Sequence, residues 1–393
     1  MTNFAIYGVN FFNKGAELML HACRQQVYQW DKDNSLSAHL QIGSMKQRKQ
    51  AGLDHLLWLY PRERLSRKSR MANLFYSVLD LAAPKQLLRK YDIVTDPEVD
   101  VILDASGFAF SDQWGALKTE MFARNCLRWK KQGKKIILLP QAFGPFTERR
   151  IQEAFKTVID SIDLIFARDQ VSYNYVKKLS PHIGNLRLAP DFTNLLLGAT
   201  PDYIDQLVGR PCIIPNKRML DKTIFSVNSN YISFLVLVIT HLLKKGLHPF
   251  ILIHESNDFD LSLHLQSIVG KKVQIIQEND PIYLKGILGN CEVVIGSRFH
   301  GLVSALSQGI PCIGTGWSHK YRQLFDNYKC SDFLVKLGED HDKTTRILDS
   351  LTEKNFRNAT AALIQESANV QKERSRNMWA EVENFLELSS HKT

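Results

Sequence analysis

Short apolar runs at residues 4–9, 37–42, 99–105, 135–141, 164–168 and 186–191 alternate with longer stretches at 15–29, 114–132 and 149–161. In the longer stretches the apolar residues recur every three or four positions. Continuous apolar runs of this length fit strands buried on both faces, and the intervening spacing fits helices. The alternation predicts a parallel sheet wound with helices. Residues 195–210 interrupt it with Gly198, Pro201 and Gly209 and read as a connector. The rhythm then restarts, with strands expected at 211–215, 248–254, 273–277, 292–297, 311–314 and 332–337. Helices are expected at 230–245, 259–269, 281–290 and 302–308. Helical spacing returns over 353–388 as one or two terminal helices.

Two sheets of this kind predict an α/β protein of two Rossmann-like domains facing a cleft. That is a GT-B-like architecture with C-terminal helices. The expected boundaries are 1–200 for the N-terminal domain, on the acceptor side, 201–352 for the second domain, and 353–393 for the helices. Ligands of open α/β sheets bind outside the carboxyl ends of the strands. Residues in the turns that follow strands are therefore the candidates for chemistry.

The most informative turn lies within VVIGSRFHGLVSALSQGIPCIGTG, residues 293–316. An apolar strand breaks at Gly296 and Ser297. Arg298, Phe299 and His300 follow, and then a helix carrying Leu302, Val303, Ala305 and Leu306. An Arg and a His thus sit at a helix amino end, where unpaired N–H groups and the helix dipole favour anions.

Other strand ends supply further candidates. The first turn, YGVNFFNKGAELML, places Asn13 and Glu17 at a helix start and is not the GxGxxG of dinucleotide binding. DASGFAF places Asp104 and Gly107, and LPQAFGPF places Gln141. FARDQVSY delivers Arg168 from a buried strand, where a charge needs an acid or a ligand phosphate, and Asp169 caps the next helix. LAPDF adds Asp191, either as a partner of Arg168 or in the chemistry. In the second half, Asn216 follows the first strand and His254 the second, on the same edge as His300. The histidines lack HxH or HxxxH spacing, so no metal is expected.

The chain of 393 residues is 44% hydrophobic and 23% charged, ordinary for a globular protein. Its longest apolar stretch, 231–240, is too short to span a bilayer. The first residues read as a strand, not as a secretory signal. Six scattered cysteines fit buried thiols in a reducing cytoplasm better than disulfides. The net charge of +10 is concentrated over residues 46–70, where eight basic residues face Asp54 and Glu63 around an apolar patch at 56–60. The segment is expected either to form a solvated loop and helix or to lie on an anionic membrane surface. No nucleic-acid motif accompanies it, so nucleic acid is not an expected partner.

Taken together, YGVNFFNKGAE, DASGFAF, LPQAFGPF, FARDQVSY, LAPDF, IIPNKRM and above all IGSRFHGLVSALSQGIPCI resemble the polysaccharide pyruvyl transferase family. The first motif departs from the family's N-x-G-D-E form, with Ala16 in the acidic position. The resemblance implies a cytoplasmic bacterial enzyme of surface-glycan or exopolysaccharide synthesis. It would need no cofactor, with phosphoenolpyruvate as the donor substrate. Two sugar hydroxyls would receive the enolpyruvyl-derived group as a pyruvate ketal, with release of phosphate. The acceptor would be a sugar, with a lipid-linked oligosaccharide giving the basic segment a purpose at the inner face of the membrane.

By motif, the donor contacts fall on Arg168, Arg298, Phe299 and His300. Two arginines suit a ligand with a phosphate and a carboxylate. A histidine suits proton delivery, and Glu17, Asp104 and Asp191 are the candidate bases, in that order. The competing readings are a GT-B glycosyltransferase using a nucleotide sugar, for which Asp326 is the late acidic residue on offer, and a non-catalytic glycan-binding protein.

Overall fold

The computed structural model describes residues 1–57, 85–221, 225–338 and 341–388. By internal contacts the chain divides into two units. The first comprises residues 1–11, 19–188 and 379–393, and the second residues 12–18 and 189–378. Each is an α/β unit around its own parallel sheet.

In the first unit the strands are β1 (Asn3–Tyr7), β2 (Ser35–His39), β3 (Asp54–Leu57), β4 (Ile93–Thr95), β5 (Val101–Asp104), β6 (Lys135–Gln141), β7 (Leu164–Ala167) and β8 (Leu186–Leu188). They lie in the order β4-β3-β2-β1-β5-β6-β7-β8, all parallel. The chain winds outward from β1 to β4 and then returns to β5 on the other side. The point where winding reverses, between β1 and β5, is where such sheets form a crevice. Ile136, Leu138 and Ile165 pack with Phe110, Phe143 and Phe155 beneath the helices Ala116–Lys131 and Arg149–Ser161.

The second unit contains β9 (Cys212–Ile214), β10 (Phe250–Ile253), β11 (Gln274–Gln277), β12 (Val294–Gly296) and β13 (Cys312–Gly314). Their order is β11-β10-β9-β12-β13, again all parallel, so the reversal falls between β9 and β12. Alternate residues serve opposite faces. Cys212, Ile214, Phe250, Leu252 and Val294 enter one core, and Ile213, Ile251, Ile295 and Ile313 the other. Both faces are covered, which is why the strands read as unbroken apolar runs.

All six cysteines are free and buried, as expected. The strand expected at 332–337 is instead a 3-10 turn, Ser331–Phe333, with a single bridge from Leu334 to Gly314. Two strands on one side of this sheet, β3 and the edge strand β4, were not expected; β3 lies inside the charged segment. That segment is also less free than its composition implies. Arg48 is buried, donating from Nε to His55 Nδ1 (2.8 Å) and from Nη1 to the carbonyls of Leu40, Ile42 and Gly43. Leu56 is buried in β3. Residues 58–70 of the expected membrane-facing stretch lie outside the described residues. Among the described residues no helix is long and apolar enough to cross a membrane.

Candidate functional site

The Ser297–Arg298 turn sits at the reversal of the second sheet, and a buried polar plug holds it. Ser297 Oγ is hydrogen-bonded to Tyr231 Oη, which also accepts from the Asn216 N–H (2.9 Å). Asn216 Nδ2 and Tyr321 Oη both donate to the Ser297 carbonyl, at 2.7 and 2.8 Å. Asn216 Oδ1 accepts from the Arg218 N–H. Asn216, expected as a substrate contact, is 1% exposed, and its side-chain donor and acceptor serve the turn.

Arg298 is held between two carboxylates. Its Nε donates to Asp258 Oδ2 (2.8 Å), Nη2 bonds Asp258 Oδ1, and Nη1 bonds Glu255 Oε2. All three residues are buried. One guanidinium between two carboxylates gives a local sum of one negative charge when all are ionised, the opposite of a free anion clamp. Phe299 packs edge-on against His300 and Tyr321 and is mostly buried.

His300 opens the helix Phe299–Leu306. Its Nε2 lies 3.4 Å from Asp191 Oδ2. Asp191 is fixed in turn, with Oδ1 accepting from the Thr193 N–H (3.1 Å) and hydroxyl (2.6 Å). A buried carboxylate held this way gives the ring a fixed neighbour. His254 is the neighbour expected from the sequence. Burial, with Arg298, His300 and Lys14 nearby, pushes it down to about 3, so it stays neutral at physiological pH.

Residues 12–18, the approach to the helix Lys14–Trp30 and its first turn, belong to this unit. Asn13 pairs by backbone with Glu255, and its Oδ1 accepts from the Gly15 N–H (2.9 Å). Asn13 thus sets the helix start. Glu17 is ion-paired with Lys14 (2.7 Å). Burial raises its carboxyl pKa against the pull of Lys14, and Asp280 adds to the rise.

In the first unit, Asp104 ends β5 fully buried. It accepts from Ser106 N–H and Oγ and from Gln141 Nε2 (2.9 Å). Burial raises its pKa in spite of these bonds. Asp104 and Gln141 knot two strand ends together. Gly107 takes φ +69° and passes close to Met19. Arg168 follows β7, buried, with its backbone N–H on the Gln141 carbonyl and Asp169 capping the next helix through the Ser172 N–H. A cavity of about 330 Å³ opens at the reversal between β1 and β5, lined by Tyr7, His39, Ser106, Lys118, Phe122 and Asn125 among others.

The model of the polysaccharide pyruvyl transferase family matches residues 13–319, most of the chain. The chain belongs to that family. It is 22% identical over 282 residues to the amylovoran biosynthesis protein AmsJ of Erwinia amylovora; the match covers 66% of this chain and 66% of that protein, just under two thirds of its length. Its fold is that of Anabaena HepE, solved with UDP and glucose, at a TM-score of 0.60 and 11% identity over 98% of this chain and all of that one. The UDP-GlcNAc 2-epimerase of Neisseria meningitidis gives the same TM-score at 10% identity and the same coverage. These likenesses establish a GT-B-like fold and no more.

In this pyruvyl transferase family member, sequence reasoning named His300 and missed what holds it. A Cβ on Gly15 would lie 2.1 Å from His300 Nδ1. The glycine of the first motif is therefore required by the ring of the last. The signal was present, since glycine is the one residue that admits such an approach, but only three dimensions supply the partner. Gly15→Ala is expected to displace the His300 ring and lower kcat/KM by roughly 10²-fold, as misplacement of a reacting group does. A steady-state assay on the folded variant checks this, and wild-type kcat/KM would show that ring and helix start are not coupled.

Proposed function

We propose that the chain transfers the enolpyruvyl-derived group of phosphoenolpyruvate onto two hydroxyls of one sugar in a bacterial exopolysaccharide precursor. His300 protonates the methylene carbon, which becomes the methyl group. A first hydroxyl adds to C2, phosphate departs, and a neighbouring hydroxyl closes the ketal. Of the two hydroxyl protons, one balances the proton that His300 gave up and the other leaves with phosphate. Glu17 is assigned as the base, because burial makes it a better proton acceptor than an exposed carboxylate and it stands two residues from Gly15.

Arg298 is occupied by Asp258 and Glu255, so its role is to shape the turn. The β1–β5 cavity is assigned to the acceptor, since aromatic rings beside a few polar groups suit a sugar. The reading is carried by the Asp191–His300 pair, which presents an oriented acid at a helix amino end.

The test is phosphate release from phosphoenolpyruvate in the presence of a panel of galactose- and mannose-containing acceptors. Acceptor-dependent phosphate is expected. Release of nucleotide from a nucleotide sugar instead would replace this reading with glycosyl transfer, and release of neither would point to a binding protein.

A further inference from the structure

Lys285 is a lysine in the core of the second unit, 1% exposed, on the helix Pro281–Gly289. Its Nζ donates to the Thr193 carbonyl (2.8 Å) and to Ser307 Oγ (3.2 Å). Those two acceptors belong to different parts of the site. Thr193 is the residue whose N–H and hydroxyl hold Asp191, and Ser307 follows the helix that His300 opens. A single ammonium thus joins the segment of the orienting carboxylate to the helix of the proposed acid.

The packing around it leaves little slack. A Cβ on Gly286 would lie 1.8 Å from the Ala199 carbonyl oxygen, and one on Gly198 would lie 2.5 Å from the Gly286 N. The Ala199 N–H also donates to the Ile282 carbonyl (3.2 Å). The helix and the connector after Asp191 are therefore in backbone contact, with Lys285 between them and the site.

We infer that Lys285 is a positioning residue for the Asp191–His300 pair, and that its charge offsets part of the Asp191 charge felt by the His300 ring. This rests on the assignment of His300 as the acid. A buried ammonium with only neutral acceptors in direct contact is costly unless its charge has a use or a partner. Asp191 is the carboxylate that acts on it, and Lys372 of the helix Lys354–Phe385 opposes it. Nearby, the Tyr328 hydroxyl donates to Asn194, and burial holds it neutral. Burial also drives Lys285 down to about 7, so its charge is lost near the pH at which a histidine gains one. With Lys285 charged, the Asp191 field at His300 is partly cancelled.

The experiment is an NMR titration of the histidine rings of the full chain, with His300 assigned by the signal lost in His300→Gln. In Lys285→Met the His300 midpoint is expected to move to higher pH by about 0.5–1 pH unit, because a positive neighbour has gone. In Lys285→Arg, whose charge persists at all accessible pH, the midpoint is expected at or below that of wild type. The basic limb of kcat/KM should move with the midpoint in each case. An unchanged midpoint in folded Lys285→Met, or a rise in Lys285→Arg, overturns the inference. If Lys285→Met does not fold, the Arg variant alone decides. The titration needs no turnover, so failure to release phosphate from phosphoenolpyruvate would count against the pyruvyl-transfer reading and not against this one.

Discussion

His300→Gln is expected to lower kcat for acceptor-dependent phosphate release by roughly 10³-fold, the usual worth of a positioned acid. The residual rate should lose its dependence on the histidine limb of the pH profile. Gln keeps a polar group facing Asp191 and much of the volume, so the loss reports proton transfer and not collapse of the turn. Asp191→Asn should fall in the same direction but less far, since the ring remains and only its orientation and charge stabilisation are lost. KM for the donor separates the two functions. Were His300 only a ligand contact, KM would rise and kcat would hold. The observation behind the expectation is the ordered chain from Thr193 to Asp191 to His300, with Gly15 against the far nitrogen of the ring.

Arg298→Met is expected to cost stability before it costs chemistry. Removing the guanidinium leaves Glu255 and Asp258 buried together with no cation between them. Breaking one side of a buried ion pair costs about 3–5 kcal/mol, much of it the penalty of the charge left behind. Chemical denaturation of the second unit's transition should show that loss. Adding Glu255→Gln and Asp258→Asn to Arg298→Met should recover most of it, because the stranded charges are then gone. Lack of recovery would mean that Arg298 contributes through something other than its two carboxylates. A plain donor clamp predicts the reverse of this pattern, with stability unchanged and donor KM raised.

Much of the architecture was legible in the sequence because both sheets are buried on both faces. Ile213 and Ile214 go to opposite cores, so the whole strand is apolar and stands out. β4 was not expected, and residues 332–337 failed in the other direction, starting in a 3-10 turn and joining the sheet by a single bridge.

The candidate site divides the same way. His300 and Asp191 could each be named from their strand ends, but no spacing relates residue 191 to residue 300. The partners of Arg298 were hidden for a related reason: Glu255 and Asp258 follow a different strand, and only the sheet order β10-β9-β12 brings that strand end near. Asn216 and Asp104 are polar residues at carboxyl ends of strands whose side chains bond neighbouring turns, a use that sequence position does not distinguish from ligand binding. Lys285 gave no sequence signal at all, because one lysine on an amphipathic helix reads as solvated until its burial is known.

The central claim is that a pyruvate ketal forms on a sugar from phosphoenolpyruvate, with His300 as the acid. It is tested most directly by mass spectrometry of the acceptor after incubation with phosphoenolpyruvate and wild-type or His300→Gln protein. The expected product is an acceptor heavier by pyruvate less one water, formed in step with phosphate, and almost none with the variant. An unmodified acceptor alongside phosphate release, or the same ketal yield and rate with His300→Gln, would contradict it.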